Sequence, residues 1–119
     1  MTFRFIDSHC HFDFDPFKGN EALYLQMAKD SGVTTFIVPS VNQSNWQQVN
    51  SLSQQFDDIY CALGIHPLFI TSNYEKELES LAALLNEENN KCVAIGECGL
   101  DFWHQESDKE IQISVFRQQ

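Results

Sequence analysis

The chain has 119 residues, of which 43% are hydrophobic and 20% are charged, a composition that fits one small folded domain. Its 17 acidic residues outnumber 7 basic ones, so the formal net charge is −10 and no Lys/Arg stripe of the kind that tracks nucleic-acid backbones is present. No apolar run reaches the roughly 18 residues of a membrane span, and the start of the chain lacks signal-peptide features. We therefore expect a cytoplasmic protein without a membrane segment.

The first half of the chain is typical of two strand–helix units. In chain order it predicts a strand over Phe3 to Ser8, a loop over Phe12 to Asn20, a helix over Glu21 to Ser31 that ends at Gly32, a strand over Val33 to Val38, and a second helix capped by Asn42 or Ser44. The first helix is expected to bury Ala22, Leu23 and Met27, and the second Trp46, Val49 and Phe56.

The second half repeats this alternation. It predicts a strand over Ile59 to Ile65, a helix over Tyr74 to Asn86 that Asn89 and Asn90 end, a strand over Cys92 to Gly96, and a fourth helix capped by Ser107. The buried positions are expected to be Leu78, Leu81, Ala82 and Leu85 in the third helix, Ile111, Val115 and Phe116 in the fourth, and the strand cysteines Cys61 and Cys92.

Four consecutive βα units with near-continuous apolar strands predict an α/β fold with a parallel sheet covered by helices. A closed barrel of eight such units needs about 250 residues. The chain would then supply the first four units of a barrel and stop at residue 119. An open four-stranded α/β sheet is the alternative at this length.

Two stretches at predicted strand ends carry side chains that bind metal ions. The first is Ile6-Asp7-Ser8-His9-Cys10-His11, where strand alternation places Asp7, His9 and His11 on one face and Cys10 on the other. The second is Ile95-Gly96-Glu97-Cys98-Gly99, where an apolar strand ends in a carboxylate between glycines. Imidazole suits Zn and other transition ions, and carboxylate also suits Mg and Mn, so a divalent metal ion is expected.

These stretches resemble the TatD-type metal-dependent hydrolases of the amidohydrolase superfamily. The resemblance rests on residues 5–13, on Gly64-Ile65-His66-Pro67 and on residues 95–102, in that order, and it covers essentially the whole chain. It implies that residues 1–119 form the N-terminal half of a TIM-like (β/α)8 barrel. It also implies a deoxyribonuclease that cleaves phosphodiester bonds with a metal-activated water.

By the same resemblance, His9 and His11 are ligands of the first metal ion, and Glu97 is the catalytic carboxylate that bridges or joins two metals. No residue of this sequence matches the family's remaining ligands, which come from later strands. His66, which Pro67 holds extended at a strand end, is expected at the mouth of the site in contact with substrate. Supporting roles are expected for Asp7, through an imidazole or a backbone N–H, and for Asp101, which would position the following loop.

Two alternatives to a deoxyribonuclease stay open at this point. One is an amidohydrolase-type hydrolase of a small molecule, since one barrel fold hosts many chemistries. The other is a catalytically incomplete fragment that needs missing sequence or a partner. The acidic composition favours a small or end-bound substrate over long duplex DNA, so a DNA substrate is expected to be bound at ends or single-stranded regions. A half-barrel leaves its outer strands unpaired and exposes positions such as Phe5, Ile37 and Val93, so self-association or completion by missing sequence is expected.

Overall fold

The computed structural model describes residues 3–88, 90–104 and 108–119 of the chain. Its parallel sheet consists of β1 (Phe5–Asp7), β2 (Val33–Pro39), β3 (Ile59–Leu63) and β4 (Cys92–Ile95). Its helices are α1 (Glu21–Asp30), α2 (Gln43–Gln55), α3 (Tyr74–Leu85) and α4 (Lys109–Gln118), with a short 3₁₀ helix (Pro67–Phe69) after β3.

The order of the strands in the sheet is β1-β2-β3-β4, so each strand pairs with the one before it in the chain. A doubly wound sheet reverses its strand order at a switch point, whereas a barrel is wound in one direction throughout. The sequential order therefore favours half of a barrel over the open-sheet alternative, and the predicted α/β fold of four parallel βα units is confirmed.

The core lies between the sheet and the helices that cover one side of it. Its fully buried side chains include Val38, Ile59, Leu63, Val49 and Val115. Of the two strand cysteines predicted to be in the core, Cys61 is fully buried and Cys92 is only partly so. The edge strands are open: Phe5 is 58% exposed and Val93 is 52% exposed, while Ile37 is half-buried.

Three helices depart from the predicted burial: α1 buries a different face, and α3 and α4 each bury a narrower face than predicted. In α1 the sheet contacts Leu25, while Leu23 and Met27 are 59% and 55% exposed. Leu23 and Met27 lie about 200° of helical rotation from Leu25, so one neighbouring layer cannot cover all three. Ala22 and Ala82 are also exposed, and Phe116 is 43% exposed.

The helix caps mostly come from asparagine and aspartate side chains. Asn42 caps α2 by accepting a hydrogen bond from the Ser44 amide. Asn90 closes α3 by donating to the carbonyls of Leu84 and Leu85. Asp108 caps α4. The predicted cap Ser107 and the predicted stop Asn89 lie outside the described residues. Among the described residues, no helix is long and apolar enough to cross a membrane.

Candidate metal centre

The two histidines of the first motif meet Glu97 at the carboxyl ends of the strands. Strand β1 ends at Asp7, so His9 and His11 lie in the loop after it and not on the strand face that alternation predicted. Their Nε2 atoms are 3.3 Å apart and lie 2.6 Å and 3.3 Å from Glu97 Oε1. Among the described residues these three side chains form a cluster whose candidate ligand atoms all lie within 4.8 Å of one another.

The spacing and the donor set fit a divalent metal ion. Ligands about 2.0–2.1 Å from a tetrahedral Zn ion lie about 3.3 Å apart. The His9–His11 and His11–Glu97 separations are both 3.3 Å, while His9 and Glu97 are 2.6 Å apart and would separate slightly around a bound ion. Two imidazoles and one carboxylate are also a donor set used by catalytic zinc sites that keep a position open for water. The site therefore suits a metal with three ligands from this chain.

A second observation comes from two buried polar atoms without hydrogen-bond partners, His11 Nδ1 and Asp13 Oδ1. They lie 3.9 Å apart, and Asp13 is only 2% exposed. Metal-binding histidines usually direct the nitrogen that does not bind the metal at a carboxylate or carbonyl, which fixes the tautomer. A small rotation of the His11 ring would bring its Nδ1–H onto Asp13 and leave Nε2 free to bind a metal.

Asp13 is itself held by helix α2. Asn45 donates from Nδ2 to Asp13 Oδ2 at 2.9 Å, and its Oδ1 accepts from the backbone amides of Val41 and Asn42. Gln48 donates to the Asp13 carbonyl at 2.8 Å. The start of α2 thus orients the buried carboxylate that faces His11. Sequence reasoning did not single out Asp13 or Asn45, although Asp13 lies within the first motif.

Asp7 and Cys10 take positions beside the cluster. Asp7 Oδ1 accepts a hydrogen bond from the His9 backbone amide at 3.1 Å, so the carboxylate holds the loop that carries the histidines. Cys10 packs against the hydrophobic core. Burial raises the pKa of the Cys10 thiol to about 11, with smaller contributions from the charges of Asp7 and Asp13. A thiol kept protonated in this way is a poor metal ligand, because the thiolate is the form that binds.

Ser40 and two glycines determine where Glu97 lies. The Glu97 amide donates to the Ser40 carbonyl at 3.1 Å, and the Gly64 amide donates to Ser40 Oγ at 3.0 Å. A Cβ on Gly64 would lie 3.0 Å from Gly96 N, so the chain segments after β3 and β4 approach closely enough that a side chain there would force a neighbour to shift. Gln119 braces the same region by pairing with the backbone N–H and C=O of Ile65. These contacts between strand ends were not predicted from the sequence.

His66 differs from the other two histidines in its hydrogen bonding. Its Nδ1 accepts from the Leu68 amide at 3.1 Å and caps the 3₁₀ helix. A neutral imidazole that accepts at Nδ1 carries its proton on Nε2. That Nε2 lies 4.0 Å from Glu97 Oε2, at the edge of the cluster. His66 therefore presents a donor to the site, whereas a metal ligand would present a lone pair.

Asp101 organises the loop between β4 and α4. Its Oδ1 accepts from the Trp103 amide at 3.0 Å. Its backbone N–H and C=O pair with the buried side chain of Gln112. His104, in the same loop, lines a groove of about 390 Å³ between the 3₁₀ helix and α4. That groove does not include His9, His11 or Glu97, so it lies beside the cluster.

A half-barrel that gathers two imidazoles and a carboxylate at the carboxyl ends of its strands defines a barrel protein of the metal-binding type. Comparisons with known proteins agree with this class. The family model described as "TatD related DNase" matches residues 6–119. The chain therefore belongs to the TatD-related DNase family, and the resemblance found in the sequence is confirmed.

Two relatives, one of them also a solved structure, illustrate the match. The metal-dependent hydrolase YjjV of Escherichia coli K12 is 41% identical over 112 residues, which cover 94% of this chain and 43% of YjjV. The crystal structure of YjjV, a TatD homologue, superposes with a TM-score of 0.89 and 38% identity, over 99% of this chain and 46% of that one. The 3′-5′ ssDNA/RNA exonuclease TatD of Erwinia tasmaniensis is 35% identical over 97 residues, covering 80% of this chain and 36% of that protein. The chain thus spans less than half the length of these relatives.

Proposed function

We propose that this chain carries part of the active site of a metal-dependent hydrolase that cleaves phosphodiester bonds in DNA. The observation that carries the proposal is the convergence of His9 Nε2 and His11 Nε2 on one oxygen of Glu97, at 2.6 Å and 3.3 Å. Family membership and a relative named as an ssDNA/RNA exonuclease support the choice of substrate.

In this proposal His9, His11 and Glu97 hold one or two divalent ions, of Zn, Mg or Mn. A bound ion supplies a Lewis acid for a phosphodiester oxygen and makes a water acidic enough to act as nucleophile at neutral pH. Glu97 directs Oε1 at the two imidazoles and Oε2 toward His66. A carboxylate whose two oxygens face different groups is suited to joining two ions and to orienting the attacking water.

The neighbouring residues position the substrate and the ligands. His66 donates from Nε2 to a non-bridging phosphate oxygen, which offsets charge as it develops. Asp7 holds the histidine loop, Asp13 faces the His11 ring and would orient it around a bound ion, and Asp101 holds the loop after β4. With a net charge of −10, the positive field that attracts a phosphate comes mainly from bound metal, which favours strand ends over long duplex. We also place the protein in the cytoplasm, the compartment in which free cysteines such as those of this chain stay reduced.

The test is hydrolysis of a single-stranded oligonucleotide by the protein that carries these residues. We expect turnover with Mn, Mg or Zn, none after chelation, and none for the double variant His9→Ala with His11→Ala. Glu79→Gln is the matched control, since Glu79 is an exposed carboxylate on α3 and its loss leaves the cluster intact. Turnover without metal, or turnover by the double histidine variant, would end the proposal.

A further inference from the structure

Two exposed phenylalanines lie at opposite ends of a row of contacts that runs through the candidate metal centre. The Phe14 ring stacks on His11 with centroids 5.1 Å apart and planes 15° apart. His11 and His66 both face Glu97, at 3.3 Å and 4.0 Å. The Phe69 ring packs edge-on against His66 with centroids 5.3 Å apart. Phe14 follows β1 and Phe69 follows β3, so two separate loops bring the rings to one site.

Both phenylalanine rings are open to solvent, whereas Phe12 in the same loop as Phe14 is buried. Phe14 is 45% exposed and Phe69 is 49% exposed. Phe12, two residues before Phe14, is 2% exposed and packs on Phe17 and Phe36. The same loop thus sends one phenylalanine into the core and holds the other on an imidazole. Phe14 packs one face against His11 and still leaves 45% of its surface open to solvent.

We infer that Phe14 and Phe69 stack on unpaired bases on either side of the phosphodiester bound at the His9–His11–Glu97 cluster. The inference deepens the proposed function and rests on it. Every base has an apolar face that an exposed ring can cover, so stacking binds single strands without regard to sequence. An acidic chain gains little from contacts between basic residues and phosphates, so stacking supplies affinity that charge does not.

The geometry also selects the form of the substrate. Bases inside a duplex already stack on their neighbours and cannot offer a face to a side chain without being unstacked first. Single-stranded nucleic acid and frayed ends present free faces at no such cost. The two phenylalanines therefore act as specificity residues for single strands, and the metal ligands act on the phosphate between them.

The test measures binding, which can be observed even where turnover fails. Fluorescence anisotropy compares a single-stranded phosphorothioate oligonucleotide with an abasic strand of the same length and charge, both in Mg²⁺. The protein as it exists is expected to bind the strand with bases about a hundredfold more tightly, which corresponds to two stacking contacts of about tenfold each. Phe14→Leu and Phe69→Leu should each lower that ratio by about tenfold. Phe116→Leu is the matched control, since Phe116 is 43% exposed on α4, and it should keep the ratio.

The inference would be overturned if the unaltered protein bound both strands equally well or bound neither of them. It would also be overturned if both leucine variants kept the original ratio of the two affinities. A titration with Mn²⁺ separates stacking from a role in orienting the imidazoles. If the leucine variants bind Mn²⁺ with unchanged affinity but lose the preference for the strand with bases, the stacking role is supported. If they bind Mn²⁺ more weakly but keep that preference, the stacking role is overturned. If the protein prefers the strand with bases but shows no metal-dependent hydrolysis, only the proposed function is refuted. Hydrolysis without a base-dependent ratio would refute the stacking role alone.

Discussion

Adding one methyl group at Gly64 should displace Glu97 from the histidines. A Cβ at this position would lie 3.0 Å from Gly96 N and 3.2 Å from Gly96 C, where ordinary contact begins at 3.4 Å. It would also lie 3.0 Å from Gln119 Oε1, which is the end of a flexible side chain and can move. The backbone of Gly96 cannot move without the residue after it. Gly64→Ala therefore pushes the end of β4, with Glu97 attached, by about 0.4 Å.

The expected effects are moderate in stability and visible in metal binding. Overpacking of a close-packed site costs about 1–3 kcal/mol, which corresponds to several degrees in Tm for a domain of this size. A metal site has to hold its ligands within about 0.5 Å of their productive positions, and a shift of about 0.4 Å uses most of that tolerance. We expect Gly64→Ala to lower Tm by several degrees and to weaken Mn²⁺ binding by up to about tenfold, on the scale of a lost supporting contact.

Thermal unfolding followed by circular dichroism and a calorimetric Mn²⁺ titration measure the two effects. Gly96→Ala is the control, since a Cβ there would meet only the Ala62 Cβ at 3.6 Å, an ordinary contact, within the 4 Å around it. That variant should bind Mn²⁺ as the unaltered protein does. If Gly64→Ala unfolds at the original temperature and binds Mn²⁺ with the original affinity, the close approach of β3 and β4 does not position Glu97.

Three further predictions follow from other parts of the molecule. Asp13→Asn should weaken metal binding by about 10- to 100-fold, because it removes the carboxylate that faces His11. Asp15→Asn, which changes an exposed neighbour, should leave metal binding unchanged. Calorimetry that finds the same metal affinity in both variants would count against a role of Asp13 in orienting His11. The Cys61 thiol is paired in register with Cys92 and lowers the pKa of the Cys92 thiol below its usual value. Cys92 should therefore react with iodoacetamide at pH 7. In the Cys61→Ala variant the pKa of Cys92 should rise again, less of it should be thiolate, and the reaction should be slower. Mass spectrometry that finds equal reaction rates in the two proteins would contradict this prediction. The 119 residues expressed alone should self-associate through the exposed edges β1 and β4, and light scattering that finds a monomer that binds no hydrophobic dye would refute this.

The order of the elements could be predicted because the four strands are apolar runs with turn residues between them. Local patterns are enough to place a strand such as Val33–Pro39 or a helix such as Tyr74–Leu85. Which face of α1 packs on the sheet could not be predicted in the same way, since Leu23, Leu25 and Met27 are all apolar. Only the position of the neighbouring layer selects Leu25.

The candidate site was predictable to the extent that it depends on motifs. His9, His11 and Glu97 belong to short patterns whose chemistry is visible in one sequence. The contacts that orient them join distant residues: Asn45 lies 32 positions after Asp13 in the chain. The Ser40 contacts to the backbone around Gly64 and Glu97 also join residues far apart in the chain, and a short polar residue after a strand gives no sign of such a partner.

The central claim is that His9, His11 and Glu97 hold a divalent metal ion. Crystals of the protein grown with Mn²⁺ and measured near the manganese absorption edge test it directly. The account predicts an anomalous difference peak within bonding distance of His9 Nε2, His11 Nε2 and a Glu97 carboxylate oxygen. No peak at this cluster, or a peak at other side chains alone, would contradict it.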